Sequence, residues 1–279
     1  MPPVLTLATA NAASGRDRRG ALGAASWGRW AAAAAALDVD VLAVQEVDHL
    51  LPRSGRVDQT AVLAAALRGR ERGGAGAPPW HARFAAAVHG TPGSASTFRP
   101  AGDDAQDRPD EPSYGVALLS RHPVVAWREL RLGPSRVRLP VPLPAGAGRR
   151  VLWVPDEPRV AVAAVVATPA REVAVVTTHL SFSPWRARDQ LREVVRWCRD
   201  LPRPLVLLGD LNLPGRLAVR AAGMTPALRE PTHPAVRPRV QLDHVLLDDP
   251  AGVVGVTAAA TRRVADSDHL AVRVVLSGV

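Results

Sequence analysis

The sequence has no lysine; all 35 of its basic side chains are arginine. It has one cysteine, Cys198, and only 4% aromatic residues. A single thiol rules out an internal disulfide framework and fits a reducing compartment. No apolar run approaches the roughly 20 residues needed to cross a bilayer as a helix. The N-terminal stretch "MPPVLTLATANAAS" lacks a basic leader and reads directly as a strand, so no signal peptide is expected and the location read from the chain is cytoplasmic. There is no G-x-S-x-G elbow, no P-loop and no Cys/His cluster of zinc spacing. Serine-hydrolase, nucleotide-cradling and zinc-ribbon chemistries therefore have no sequence support.

What remains is a chain of 279 residues, 47% hydrophobic and 22% charged, the composition of a globular protein large enough to bury a substantial core. Its formal charge of +9 would attract a phosphate-rich partner. An Ala-, Arg- and Pro-rich chain without lysine is equally what a GC-rich genome produces.

Val- and Leu-rich segments bounded by Gly, Pro or Asp predict strands at Val4–Thr9, Val39–Gln45, Tyr114–Ser120, Arg159–Ala167, Val173–Thr178, Leu205–Gly209, Gln241–Leu247 and His269–Leu276. Apolar spacing predicts helices at Ala21–Leu37, at Asp58–Leu67 with Asp58 as N-cap, and at Pro184–Leu201 with Ser183 as N-cap and Cys198 on the buried stripe. Gly90–Ser113 and Gly133–Pro158 read as long loops, the second carrying Trp153 as a candidate aromatic contact. With no internal repeat and no linker, residues 1–279 are expected to form a single α/β domain, and a monomer.

The informative pattern lies at the strand ends. "LVLLGDLNLPG" (205–215) runs from four apolar residues into Asp210 and Asn212. Alternation along an extended chain would point both the same way, although Asp and Asn flanked by Gly and Pro also suit an ordinary turn. Other strands end alike: the first runs to Asn11, the second to Glu46, the fifth to His179, and the last follows Ser267-Asp268-His269. Five such endings, all in residue types that hold a hard cation or handle protons, indicate one shared site at an edge of the sheets.

The blocks "LATAN" (7–11), "DVLAVQEVD" (40–48), "YGVALLSRHPV" (114–124), "VVTTHLS" (175–181), "LVLLGDLN" (205–212), "QLDHVLL" (241–247) and "SDHLAV" (267–272) occur in this order. Together they resemble the endonuclease/exonuclease/phosphatase family, which includes pancreatic-type DNases, AP endonucleases, neutral sphingomyelinases and inositol polyphosphate 5-phosphatases. The resemblance implies a four-layer α/β/β/α sandwich of two mostly antiparallel sheets (the DNase I-like fold). It also implies Mg²⁺-dependent phosphoester cleavage, with Mn²⁺ as a substitute, at a site where loops of both sheets converge.

Carried over residue by residue, the resemblance makes Glu46 the principal metal ligand. Asn11 would position the metal or the phosphate, and Asp268 would stand near a second metal. His269 is the candidate general base, oriented by Asp243. Asp210 would orient the water or the base, or itself accept the proton, and Asn212 would hydrogen-bond the phosphate. His179 would stabilise the phosphoryl oxygens or protonate the leaving group, with Glu111 as its orienting carboxylate; Asp110 is adjacent, and a solvated loop acid is the plain alternative for Glu111. Arg159 and Arg53 are candidate phosphate contacts, while Asp58 and Gln59 are explained by helix capping. His49, His81, His89, His122, His233 and His244 read as structural or surface residues.

Three functions follow: an Mg²⁺-dependent phosphodiesterase on DNA or RNA, the same chemistry on a lipid headgroup or sugar phosphate, and a non-catalytic binding module. The intact residue set disfavours the third.

Overall fold

The computed structural model describes residues 3–70, 78–94, 96–135, 139–142 and 151–279, with backbone only at 107, 139–142 and 151–154. The strands are β1 (Val4–Asn11), β2 (Val41–His49), β3 (His81–Gly90), β4 (Phe98–Pro100), β5 (Ser113–Ser120), β6 (Val124–Leu132), β7 (Leu139–Pro142), β8 (Val151–Val154), β9 (Arg159–Ala167), β10 (Glu172–His179), β11 (Leu205–Asp210), β12 (Thr225–Pro226), β13 (Asp243–Asp248), β14 (Gly255–Arg263) and β15 (Leu270–Ser277). The helices are α1 (Ala24–Ala35), α2 (Gln59–Gly69), α3 (Pro184–Trp197) and α4 (Gly215–Ala222).

One sheet has the order β14-β15-β1-β2-β5-β3-β4, the other β12-β13-β11-β10-β9-β6, and β7-β8 form a separate hairpin. The pairings β1–β2 and β10–β11 are parallel; the rest are antiparallel. Period-2 alternation sorts the side chains into layers. In β1, Leu5 and Leu7 face the second sheet, while Ala8 and Ala10 face the helices; in β11, Val206 and Leu208 face inward, while Leu205 and Leu207 lie beneath α3 and α4. The central layer is built of Val and Leu from both sheets, and fully burying each such side chain contributes about 1.5–3 kcal/mol. Trp27 and Trp30 of α1, stacked at 4.8 Å, cover the first sheet together with Leu63 and Leu67 of α2. Leu191 and Val194 of α3 and Ala218 of α4 cover the second. This is the expected α/β/β/α sandwich.

Several local expectations change. α1 is shorter than expected, and α3 gives way to a 3₁₀ turn at Cys198–Asp200. Asp58 caps α2 by accepting from Ala61 N at 2.9 Å, but Ser183 makes no side-chain cap on α3. Gln59 is not a capping residue: it is buried, accepts from Asp48 N (2.8 Å) and donates to Ser14 O (3.0 Å), tying β2 to the turn after β1. The 90–113 loop contains β4 and a 3₁₀ turn at Asp103–Asp107, and the 133–158 loop contains β7 and β8. The Trp153 side chain lies outside the described residues. Cys198 is buried in the α3 layer, and burial pushes its thiol up to about 12, as suits a core residue.

Candidate active site

Inward parity carries polar side chains to one end of the central layer. After Leu5 and Leu7, the inward positions of β1 are Thr9 and Asn11; after Val173 and Val175, those of β10 are Thr177 and His179; after Val206 and Leu208 comes Asp210; before Val245 and Leu247 comes Asp243. Gln45 links the two sheets here, accepting from Thr9 Oγ1 (3.1 Å) and donating to Thr177 Oγ1 (3.1 Å). Glu46 breaks the alternation of β2. The register shifts between Val44 and Val47, and Glu46 sits at φ +56°, so a bulge redirects its carboxylate. Gly209, at φ +148°, lets β11 close on β10: a Cβ there would lie 2.1 Å from Thr178 O.

Asp210 is the hub. Its Oδ2 accepts from Asn11 Nδ2 at 3.0 Å and lies 3.6 Å from His179 Nε2 and 3.7 Å from His269 Nδ1. Its Oδ1 accepts from Asn212 N at 3.0 Å, so the same carboxylate also makes the turn that its sequence suggested. Asn212, at φ +49°, does not point alongside Asp210; its Nδ2 donates to Leu180 O at 2.9 Å. Asn11 Nδ2 also donates to Glu46 Oε1 at 3.0 Å, and its Oδ1 accepts from Ala13 N at 3.0 Å. Carboxylates on one side and an N–H on the other fix the amide, so Asn11 orients Glu46 and Asp210 and its oxygen faces away from them.

His269 Nδ1 donates to Asp243 Oδ2 at 2.8 Å, and Ser267 steadies the segment by donating to Asn11 O (2.7 Å) and accepting from His269 N (3.2 Å). Arg159 Nη1 donates to His179 Nδ1 at 3.3 Å. Because a guanidinium only donates, Nδ1 is an acceptor and the neutral ring carries its proton on Nε2, on the Asp210 side.

The charges differ from one group to the next. Burial raises the Glu46 carboxyl, and Asp268 adds to this against the Asn11 hydrogen bond. Burial, then the charge of Asp243, pushes Asp210 up to about 7. For His269 burial opposes the cation, but the hydrogen bond and charge of Asp243, with Asp210 and Asp268, outweigh it and push the imidazole up to about 10. Burial and the Arg159 charge hold His179 well below its usual value, hence neutral.

Two candidate residues stand elsewhere or are otherwise engaged. Glu111 does not orient His179: it accepts from Arg99 Nη2 at 2.5 and 2.7 Å and lies 3.6 Å from His89. The place beside His179 Nδ1 belongs to Arg159. Arg53 is engaged by Asp48 at 2.9 and 2.6 Å and by Ser14 at 3.1 Å, so much of its donor fork is occupied. Asp268 is exposed, next to His269.

The sequence profile of the Endonuclease/Exonuclease/phosphatase family matches residues 8–269. The chain belongs to the endonuclease/exonuclease/phosphatase family. Among solved structures, an endonuclease/exonuclease/phosphatase from Beutenbergia cavernae DSM 12333 is similar over 98% of this chain and 71% of its own, at 23% identity and TM-score 0.67. The human Nocturnin catalytic domain, with a bound sulfate anion, is similar over 100% of this chain and 96% of its own (16% identity, TM-score 0.60). A Bacteroides thetaiotaomicron VPI-5482 mannosyl-6-phosphatase is similar over 98% and 99% (16%, TM-score 0.56). At these identities the likenesses concern the fold. No curated protein matches the sequence. Members of the endonuclease/exonuclease/phosphatase family are metal-dependent phosphoesterases, and this chain is a phosphoester hydrolase by that membership.

Within the family frame, four residues at the cluster had no role assigned from sequence. His233 packs its ring 4.6 Å from that of His269, and His233, Asp268 and His269 form one set of close ligand atoms; Asp210, Asp243 and His269 form another. His233 therefore adjoins the cluster. Tyr114 is buried, with Arg53 5.5 Å from its ring centre. Glu157 lies 3.9 Å from Arg159. Gln45 joins the sheets beneath Glu46. The first three come from connections or from a strand start, where alternation gives no signal. Gln45 could have been found: it is the polar residue at an inward position of an apolar strand.

Proposed function

We propose that this cluster hydrolyses phosphodiester bonds in nucleic acid with Mg²⁺ as the cation and Mn²⁺ as a substitute. The observation that carries the chemistry is the convergence of Asn11, Glu46, His179, Asp210, Asp243 and His269 at one end of both sheets. These groups are joined by hydrogen bonds from Asn11 to two carboxylates and from His269 to a third.

The donors fit a hard divalent ion. They are carboxylate oxygens, Glu46 is half-buried with a raised proton affinity, and Asp243 Oδ1 is buried without a hydrogen-bond partner among the described residues. Glu46 would hold the ion, with Asp268 as a further carboxylate, and Asn11 would set the direction of Glu46. When bound, the cation supplies positive charge against the phosphoryl oxygens. The protein supplies the rest. Asp210, held by Asn11 and the Asn212 N–H, receives the proton of the attacking water. His269 keeps its Nδ1 proton on Asp243 and gives its Nε2 proton to the leaving oxygen as the scissile P–O bond breaks. His179, fixed by Arg159, offers a neutral Nε2–H donor to the charge that develops on the phosphorus oxygens. Arg159 itself, with its Nε buried and without a partner among the described residues, adds fixed positive charge.

The nucleic-acid substrate is supported by the charge of +9, carried wholly by arginine. Among the described residues no helix is long and apolar enough to cross a membrane. The test is a metal-dependent screen over DNA, RNA, lipid phosphodiesters and phosphomonoesters. We expect nicking or cleavage of nucleic acid, with KM rising steeply from low to moderate salt. Hydrolysis confined to a lipid or a phosphomonoester would overturn the substrate and leave the chemistry.

A further inference from the structure

α3 and α4 leave the sheet at the same end as the cluster. α3 follows His179 through residues 180–183, and α4 follows Asn212 through residues 213–214. Between them lies a hollow of about 340 Å³, bounded by Trp185, Arg188 and Arg192 of α3, by Leu217 and Arg220 of α4, and by Leu213. Leu213 sits directly after Asn212, so the hollow and the candidate active site share one connection.

Its lining combines an exposed aromatic ring with three arginines. The Trp185 side chain is 78% exposed, the only aromatic ring among the exposed large hydrophobic side chains of the described residues; Leu217 beside it is 49% exposed. The two form a small exposed apolar face carrying an indole, a side chain enriched where proteins make contacts. Arg188, Arg192 and Arg220 are exposed and make no hydrogen bond or ion pair among the described residues, and no carboxylate lines the hollow. Arg186, on the same helix, is instead engaged by Gly133 O at 2.8 Å, while Arg196 and Arg216 on the two helices are exposed like the three at the hollow. The first turn of α3 has no side-chain cap, which adds the partial positive charge of its N–H groups to this end.

We propose that this hollow is a subsite for a single-stranded segment of a polynucleotide substrate, with one base stacked on Trp185 and the adjoining phosphates held by Arg188, Arg192 and Arg220. The inference rests on the nucleic-acid reading above and adds where the strand runs beyond the scissile phosphate. A base face is available for stacking only when the base is unpaired. Arg188 and Arg192 are one helical turn apart, about 6 Å between Cβ atoms, a spacing that successive phosphates of an extended strand can follow. One ring flanked by separated guanidiniums matches an alternation of base and phosphate. A lipid surface would call for a broader apolar face than Trp185 and Leu217 provide.

The test is fluorescence anisotropy with a short fluorescein-labelled oligothymidylate in EDTA, where binding is read without cleavage, and thermal melting confirms that each variant is folded. Trp185→Ala is expected to weaken binding about 10-fold, and Trp185→Phe to recover most of it. Arg188→Gln with Arg192→Gln is expected to flatten the dependence of log K on log salt by about 1–1.5. Equal affinity of wild type and Trp185→Ala, with wild type still cleaving the oligonucleotide in Mg²⁺, overturns the subsite and leaves the nucleic-acid reading standing. Tryptophan-dependent binding without cleavage of DNA or RNA in Mg²⁺ overturns that reading and, with it, the role of the hollow as a substrate subsite, leaving strand binding alone. No binding by wild type, or Trp185-dependent binding of phosphatidylglycerol vesicles in place of the oligonucleotide, overturns the subsite.

Discussion

Asp243 and Glu111 each lie beside a histidine, and their surroundings differ in how much negative charge they leave for it. Asp243 is buried and holds His269 Nδ1 at 2.8 Å; among the described residues it has no arginine on it and its other oxygen is without a partner. Glu111 is partly exposed, lies 3.6 Å from His89, and is neutralised by Arg99 at 2.5 Å, with Arg108 at 3.7 Å. His89 itself bonds to Ser113 Oγ at 2.8 Å, and burial lowers its proton affinity. Around Asp243 negative charge is left for the imidazole, and His269 is pushed up to about 10; around Glu111 it is spent on guanidinium. An exposed pair of the second kind contributes only about 0–1 kcal/mol. The same residue types make a proton-handling site only where burial and strand geometry leave their charge uncompensated.

The largest expected effect is loss of the cation. EDTA should reduce hydrolysis of bis(p-nitrophenyl) phosphate to background, Mg²⁺ or Mn²⁺ should restore it, and Glu46→Gln should weaken Mn²⁺ binding measured by calorimetry. Full turnover in chelator would remove the metal from the account. Next come the imidazoles: His269→Ala and His179→Ala should each lower kcat by about 10²-fold or more, whereas His89→Gln should leave it within about 3-fold. A near wild-type kcat for His269→Ala would contradict its role.

A pH series sharpens the same contrast. The folded-state proton affinities of His269 and Asp210 are both raised, so in the metal-free protein these two groups bind more protons folded than unfolded. The contribution of His269 is fully present below about 6.5 and is lost as pH rises through about 10. The contribution of Asp210 is lost between its unfolded value and about 7. Denaturation in EDTA should therefore show the stability advantage of wild type over His269→Gln shrinking from neutral to alkaline pH. An advantage that grew over this range would reverse the assigned direction. His89 shifts the other way, so the difference between wild type and His89→Gln should not shrink over this range.

Much of this could be read from the sequence because inward parity is a property of the chain. Apolar alternation in Val4–Thr9, Val173–Thr178 and Leu205–Gly209 carries directly to Asn11, His179 and Asp210. Strands β3, β6 and β14 were not evident. β3 is alanine-rich ("HARFAAAVHG"), while β6 and β14 carry exposed and charged positions, so neither shows a continuous apolar run. Glu111 was misplaced for a related reason. It lies in a connection, where spacing along the chain does not fix position in space, and the charge beside His179 comes from Arg159, at the start of a strand of the same sheet. His233 was missed because it too lies in a connection, folded onto His269 by contacts distant in sequence. Asn11 was placed correctly at the strand end, but which of its amide atoms faces Glu46 depends on Ala13 N and Asp210, and no motif encodes that.

The most direct test sets the two carboxylates side by side: kcat for bis(p-nitrophenyl) phosphate in saturating Mg²⁺, measured for Asp243→Asn and Glu111→Gln under identical conditions. The Asp243 variant releases His269 from its acceptor and should lose about 100-fold, at the upper end for a group that orients a catalytic or metal-binding partner. The Glu111 variant breaks a partly exposed ion pair and should stay within about 3-fold of wild type. Comparable losses in both, or the greater loss at Glu111, would contradict the claim that the Asp243–His269–Asp210 cluster is where the chemistry occurs.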